Sequence, residues 1–285
     1  MDEPLFSIIT VCLNAGPSLR ATNDSVREQI SGNFEHIVKD GGSKDDSVKE
    51  LEMISRTGVA TVISRQDSGI YDAMNQALEV TRGKYVLFLN AGDTFYAPDV
   101  LLTLAPFCVG ADGPSLVYTD HVTNGKKKRV RSPPTLSRFF LYRTMLCHQV
   151  CFIRRKCFDE LGGFDTALNI EGDFDFLVRL MLRPGARSQY VPIIGISSLG
   201  GGISSQPGMF PLMDREVTTV RKKYFHGTER LAWAALYVCT LPRLRRMIYR
   251  SPKLSALKSI YLFCLNLCYE LLGKATKASG LSTPR

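Results

Sequence analysis

Apolar positions alternate along this chain between two periods. From Ile70 onward, Ile70, Ala73, Met74, Ala77 and Leu78 fall at i, i+3, i+4, i+7 and i+8, while Asp72, Gln76 and Glu79 take the other side. That spacing predicts an amphipathic helix, running to about Arg82 and ended by Gly83. Tyr85 to Leu89 is a short continuous apolar run rich in strand formers, cut off by the polar turn Asn90-Ala91-Gly92-Asp93. Upstream the same alternation repeats. Leu5–Leu13 reads as a buried strand, Ser18–Gln29 as a helix, Phe34–Lys39 as a strand and Thr61–Ser64 as another. Between the last two, Asp40-Gly41-Gly42-Ser43-Lys44-Asp45-Asp46 forms a turn whose glycines allow positive φ, followed by a helix to about Arg56. Strands alternating with helices predict an α/β, doubly wound, mostly parallel sheet with helices on both faces.

Beyond Asp93 the alternation is less regular. A helix is predicted over Pro98–Phe107, a short strand over Leu116–Tyr118 and a hairpin with a basic tip over His121–Arg131, containing Asn124-Gly125. A short helix within Ser132–Arg143, a strand at Val150–Ile153, a turn at Gly162–Asp165, a helix at Glu171–Leu182 and a strand at Tyr190–Ile194 follow. Leu199–Ser205 is a glycine-rich loop, and Gly208–Phe225 a further helix. A boundary is expected near residue 227, giving a catalytic domain over 1–226, with halves meeting near residue 107, and a basic amphipathic helical tail over 227–285.

Charge sharpens that boundary. The net charge is +9, yet from residue 241 onward nine basic side chains face one acid, Glu270, so the earlier chain is nearly neutral. Basicity confined to the tail argues against nucleic acid as the partner and for a local anionic surface such as a phospholipid leaflet. The apolar runs Leu231–Leu241 and Ile260–Leu272 are short of the ~18 to 20 residues a spanning helix needs, and read as interfacial helices. Packing on the domain, or a contact in a homo-oligomer, is the competing reading. The eight cysteines include no Cys-x-x-Cys pair and read as reduced thiols. An amino terminus carrying two acids and no basic leader points to the cytoplasm.

Open α/β sheets bind ligands beyond the carboxyl ends of their strands. Asp40 and Asp93 stand at two such ends, either as functional acids or as turn residues. Asp173 lies in the helix Glu171–Leu182. Its neighbour Asp175 has Arg179 at i+4, whereas Asp173 has Phe176 and Leu177 at those places and so lacks a local partner. His148 and Gln149 precede a strand and could touch a bound ligand (the acceptor or diphosphate, under the resemblance given below), although a lone histidine is more often a structural hydrogen-bonding residue. Neither a dinucleotide-binding GxGxxG nor a P-loop is present.

Seven segments in order then carry a resemblance: SIITVCLN (7–14), DGGSKDDS (40–47), DSGIYDAMNQAL (67–78), GKYVLFLNAGD (83–93), HQVCFIRR (148–155), LGGFD (161–165) and GDFDFLVRL (172–180). Together they resemble glycosyltransferase family 2, of the kind found in bacterial exopolysaccharide and lipopolysaccharide assembly. The resemblance implies a GT-A fold, an inverting mechanism, a UDP- or GDP-sugar donor, a glycan or lipid-linked acceptor, and Mg²⁺ or Mn²⁺. By position, Asp40 would contact the donor base, with Val11 and Leu13 lining the nucleotide pocket through their backbone and Asp67 and Asn75 nearby. Asp93 would serve the metal and diphosphate, and Asp173 would be the catalytic base. Members commonly carry an Asp-x-Asp signature after the fourth strand, where this chain has one carboxylate, implying a weaker metal site. A sugar-phosphate nucleotidyltransferase would want a glycine-rich loop with Arg after the first strand, which Asn14-Ala15-Gly16-Pro17 fits poorly. A non-catalytic sugar-nucleotide-binding protein at the membrane is favoured only by the reduced acidic tip.

Overall fold

The computed structural model describes residues 3–230 apart from 31–32, 111, 124–128, 201, 203, 205 and 228–229. The expected helical tail therefore lies outside the described residues, as does the tip of the basic hairpin. Two compact units are distinguished, one of Met1–Leu136 with Leu146–Val220, the other of Ser137–Met145 with Arg221 and the described residues after it.

In the first unit, β1 (Phe6–Cys12), β2 (Phe34–Asp40), β3 (Thr61–Ser64) and β4 (Tyr85–Phe88) pair in parallel in the order β3-β2-β1-β4. The intervening helices are α1 (Pro17–Arg27), α2 (Ser47–Thr57) and α3 (Ile70–Leu78). Every residue of β1 and β4 is buried, as their unbroken apolar character requires of strands covered on both faces. At about 1.5–3 kcal/mol per fully buried large apolar side chain, these strands anchor the unit. β1 has β2 on one side and β4 on the other, so the chain reverses its progress across the sheet there, which opens a crevice beyond the strand ends. Registers of Cys12 with Asp40 and of Asp40 with Ser64 bring those ends level.

The second half of the sheet is mixed. After β5 (Thr94–Phe95) and α4 (Val100–Cys108) come β6 (Leu116–Thr123), β7 (Arg129–Val130), β8 (Cys151–Arg154) and β9 (Ser188–Ser198). The path continues β4-β8-β6-β9-β5, with β7 on β6. β8 is antiparallel to both β4 and β6, while β6 and β9 are parallel. β6 and β9 outrun the short strands predicted for them. The reason is a buried polar cluster that disguised β6: Asp120, fully buried, accepts from Arg129 Nε (2.5 Å), Ser132 N (2.8 Å) and Tyr190 Oη (2.8 Å).

α3 shows the predicted facing, with Ala73, Met74, Ala77 and Leu78 buried and Glu79 exposed. It ends sooner than expected, at Leu78, where Thr81 Oγ1 donates to the Leu78 carbonyl at 2.8 Å. Gly83 is not its cap. It lies on the β1 backbone, where a Cβ would come within 2.6 Å of Phe6 C and Ser7 N. α6 (Lys156–Leu161) and α7 (Gly172–Leu182) complete this unit with most of α8 (Phe210–Tyr224). The loop entering α7 is held from α8: the buried Glu216 carboxylate accepts from the amides of Asn169, Ile170 and Glu171 at 2.9–3.0 Å. It fixes the two residues ahead of the helix together with its N-cap, Glu171.

In the second unit, α5 (Arg138–Arg143) is capped at its N-terminus by Ser137 Oγ, which accepts from Phe140 N. At its other end Arg221 donates to the Tyr142 and Arg143 carbonyls (2.6 and 3.0 Å), and Tyr142 packs edge-on against Phe225. No described helix is long and apolar enough to cross a membrane.

Candidate active site

Along the carboxyl edge of the parallel strands, each predicted residue has a definite place. Asp40 is buried at the end of β2. Its Oδ1 accepts from Ser43 N (3.0 Å) and Ser43 Oγ (2.6 Å), and its Oδ2 from Gly42 N (3.0 Å) and Ser64 Oγ (2.7 Å). Burial pushes its pKa upward, but the Ser43 and Ser64 hydroxyls and the Ser43 and Gly42 amides outweigh that and hold the carboxyl below its ordinary value. Asp40 thus shapes the Gly41–Ser43 turn from beneath.

Beside it stands a residue that the strand pattern did not single out. Lys39 is fully buried, and its Nζ donates to the Asp40 carbonyl (2.7 Å), the Arg65 carbonyl (2.5 Å) and Asp67 Oδ2 (2.9 Å). Asp67 Oδ1 accepts from Gly69 N at 3.2 Å. Gly41 permits this crowding, because a Cβ there would lie 2.7 Å from Asp67 Oδ2 and 3.4 Å from Leu13 Cδ1. Leu13 is 59% exposed, an apolar side chain left in the open at the mouth of the crevice. Val11 is buried, its carbonyl accepting from Ala91 N at 3.4 Å. Asn75 is engaged elsewhere. Both ends of its amide bind Phe164, Nδ2 to the carbonyl (2.9 Å) and Oδ1 to the amide (2.8 Å), holding the Gly162–Asp165 turn.

Asp93 and Asp173 meet through two consecutive residues. Asp93 is 5% exposed; its Oδ2 accepts from Gln149 Nε2 (2.9 Å) and its Oδ1 from Leu199 N (2.8 Å). Asp173 Oδ2 accepts from His148 Nδ1 at 2.9 Å. Asp173 Oδ1 accepts from the Phe174 amide (2.8 Å), and the Tyr71 hydroxyl lies 3.1 Å from it, its single proton shared with the Ile170 carbonyl. Asn90 Nδ2 donates to His148 Nε2 at 3.1 Å, which leaves the imidazole proton on Nδ1, facing Asp173. Asn90 Oδ1 is buried with no partner among the described residues. Burial first, then the nearby Asp173 charge, raises the Tyr71 pKa far above its ordinary value, so Tyr71 remains a neutral donor. Asp175 forms the predicted pair with Arg179 (2.8 Å), but both are largely buried, and Arg179 also donates to the Leu161 and Gly163 carbonyls.

Gly92 adopts φ +103°, and a Cβ there would lie 2.7 Å from Leu199 Cδ2. No cluster of three or more His, Cys, Asp or Glu side chains fit to hold a metal is found among the described residues. A lone carboxylate still suits Mg²⁺ or Mn²⁺ carried with a diphosphate, since such ions are commonly held by one or two carboxylates plus substrate phosphates.

Asp93, beyond the end of β4, and Asp173, on α7, are thus joined through Gln149 and His148 at the carboxyl edge of the parallel strands, where open α/β sheets bind ligands. The chain belongs to glycosyl transferase family 2, whose model matches residues 7–162. It is a glycosyltransferase, with a GT-A-like fold. A PGL/p-HBAD biosynthesis glycosyltransferase of Mycobacterium bovis is 34% identical over 209 residues, covering 72% of this chain and 81% of the relative. Among solved structures, S. aureus TarS residues 1–349 in complex with UDP-GlcNAc is similar with a TM-score of 0.65 at 18% identity, over 87% of this chain and 74% of that one. A mannosyltransferase from Pyrobaculum calidifontis in complex with GDP-Man and Mn²⁺ gives 0.57 at 15% identity, over 95% and 88%.

Proposed function

We propose that the protein is an inverting glycosyltransferase that moves a sugar from a nucleoside-diphosphate donor to a hydroxyl of a glycan or lipid-linked acceptor in cell-surface glycan assembly. The observation that supports this reading is the linkage of Asp93 to Asp173 through Gln149 and His148, two acids suited to the diphosphate side and to proton removal. The naming of one relative for PGL/p-HBAD biosynthesis supports a glycolipid-type acceptor.

In this reading the nucleotide lies over the strand ends, with Val11 and Leu13 bordering the base, Asp67 held beside it by Lys39, and Asp40 fixing the turn that frames it. Asn75 contributes by fixing the Gly162–Asp165 turn. Asp173 removes the acceptor proton. Its Oδ1 accepts from the Phe174 amide and its Oδ2 from His148, which leaves the carboxylate lone pairs for the incoming hydroxyl. A bound Mg²⁺ or Mn²⁺ would neutralise the charge departing with the nucleoside diphosphate, and Asp93 is the side chain to hold it with the donor phosphates.

The test is release of nucleoside diphosphate from a panel of UDP- and GDP-sugars under Mg²⁺ and Mn²⁺ titration. Turnover with at least one donor is expected, and Asp93→Ala should lower it about 10²-fold or more while shifting the metal midpoint upward. An Asp93→Ala protein with an unchanged metal titration would remove Asp93 from that role. The basic tail suggests a place at the inner face of the cytoplasmic membrane. Full-length protein should float with anionic but not neutral liposomes, and indifference to lipid charge would count against membrane docking.

A further inference from the structure

We propose that the turn His148–Gln149–Val150 is a coupling element between the two halves of the site, with His148 a positioning residue for Asp173 and Gln149 one for Asp93. This rests on the transferase reading above and extends it to residues with no assigned role. Asp173 has no partner one helical turn away. Apart from the adjacent Phe174 amide, its carboxylate is oriented by His148 from the turn before β8, the Tyr71 hydroxyl 3.1 Å away being shared with the Ile170 carbonyl. His148 is itself fixed on its far side by Asn90, three residues before Asp93. Gln149, the next residue, donates to Asp93 and accepts from the Cys147 thiol, which fixes its amide.

The turn is anchored where β8 begins: Val150 is fully buried, and β8 is paired on both edges, with β4 and β6. A displacement of the strand-tip acid is therefore transmitted to the base by two adjacent side chains and one shared backbone. What the arrangement sets is the distance and attitude between the leaving-group end and the proton-removing end of a single displacement. Such geometry matters to rate, since a misplacement of about 1 Å can cost on the order of 10²-fold.

Four variants test it: His148→Leu, His148→Asn, Gln149→Leu and the Leu/Leu double, each checked for an unchanged fold by melting. His148→Leu should lower kcat about 10²-fold, while the donor KM and the calorimetric affinity for UDP and GDP with Mn²⁺ stay within about twofold. His148→Asn should recover roughly tenfold of that loss, because its amide nitrogen can stand in for Nδ1 as the donor to Asp173. Gln149→Leu should instead raise the donor KM and weaken UDP or GDP binding, and the double variant should lose less than the product of the two. The proposal is overturned if His148→Asn falls as far as His148→Leu, if His148→Leu weakens nucleotide binding as much as Gln149→Leu, or if the two losses simply multiply. Full activity in Asp173→Asn would sink the underlying reading, whereas an inactive Asp173→Asn beside a fully active His148→Leu would sink only the positioning.

Discussion

Asp173→Asn should lower transfer by roughly 10²- to 10⁴-fold and leave donor binding intact, the size of effect usual for a general base. The substitution keeps volume and can still accept from the Phe174 amide through its carbonyl oxygen. What it loses is the oxygen that faces His148 and, with the carboxylate charge, the capacity to take up a proton. The loss should therefore appear in kcat, with the donor KM and UDP or GDP affinity close to those of the parent protein. Single-turnover assays with a working donor would show it directly. Turnover at the parental rate would take Asp173 out of the mechanism.

The second large effect is on stability. Lys39→Met removes the counter-charge of Asp67, whose side chain is only 10% exposed, and strips the donor from two carbonyls. Breaking a buried ion pair on one side typically costs 3–5 kcal/mol, because the remaining charge is left uncompensated, so a melting temperature lower by on the order of 10 °C is expected. Adding Asp67→Asn to Lys39→Met should recover much of that, since replacing both charged partners avoids the orphaned charge. Urea unfolding of the single and double variants measures this. A Lys39→Met protein as stable as its parent would mean that the pair holds nothing in place.

Lys39 also marks the limit of what residue order discloses. It closes the predicted strand Phe34–Lys39, and strand periodicity says which face a side chain takes and not whether a carboxylate from the β3–α3 connection waits there. The apolar periods were sufficient for β1 through β4, whose ends lie within a residue or two of expectation; α3 fell short because Val80 and Thr81 end it before Gly83. β6 was truncated in the reading because Thr119 and Asp120 break the apolar run, and the partners that make them tolerable in the interior come from Arg129, Ser132 and Tyr190. The acids were legible by position: Asp40 and Asp93 at strand ends, Asp173 by the absence of a helical partner. Their roles in holding the site were less so. His148 and Gln149 stood out only as possible contacts to the acceptor or diphosphate, since nothing nearby in the chain reveals that they reach acids 25 and 56 positions away.

The glycine at the strand tip gains a different meaning from its neighbour. The space that a side chain at residue 92 would need is filled by Leu199, whose amide also binds the Asp93 carboxylate. Beside its one acid, the tip has an apolar contact and a backbone donor from a distant segment. The two positions form one unit, so a carboxylate introduced at 92 would meet Leu199 and a left-handed backbone at once. At this tip the position beside Asp93 is thus strained for any side chain by its backbone, while Leu199 beside it supplies an amide to the acid that remains.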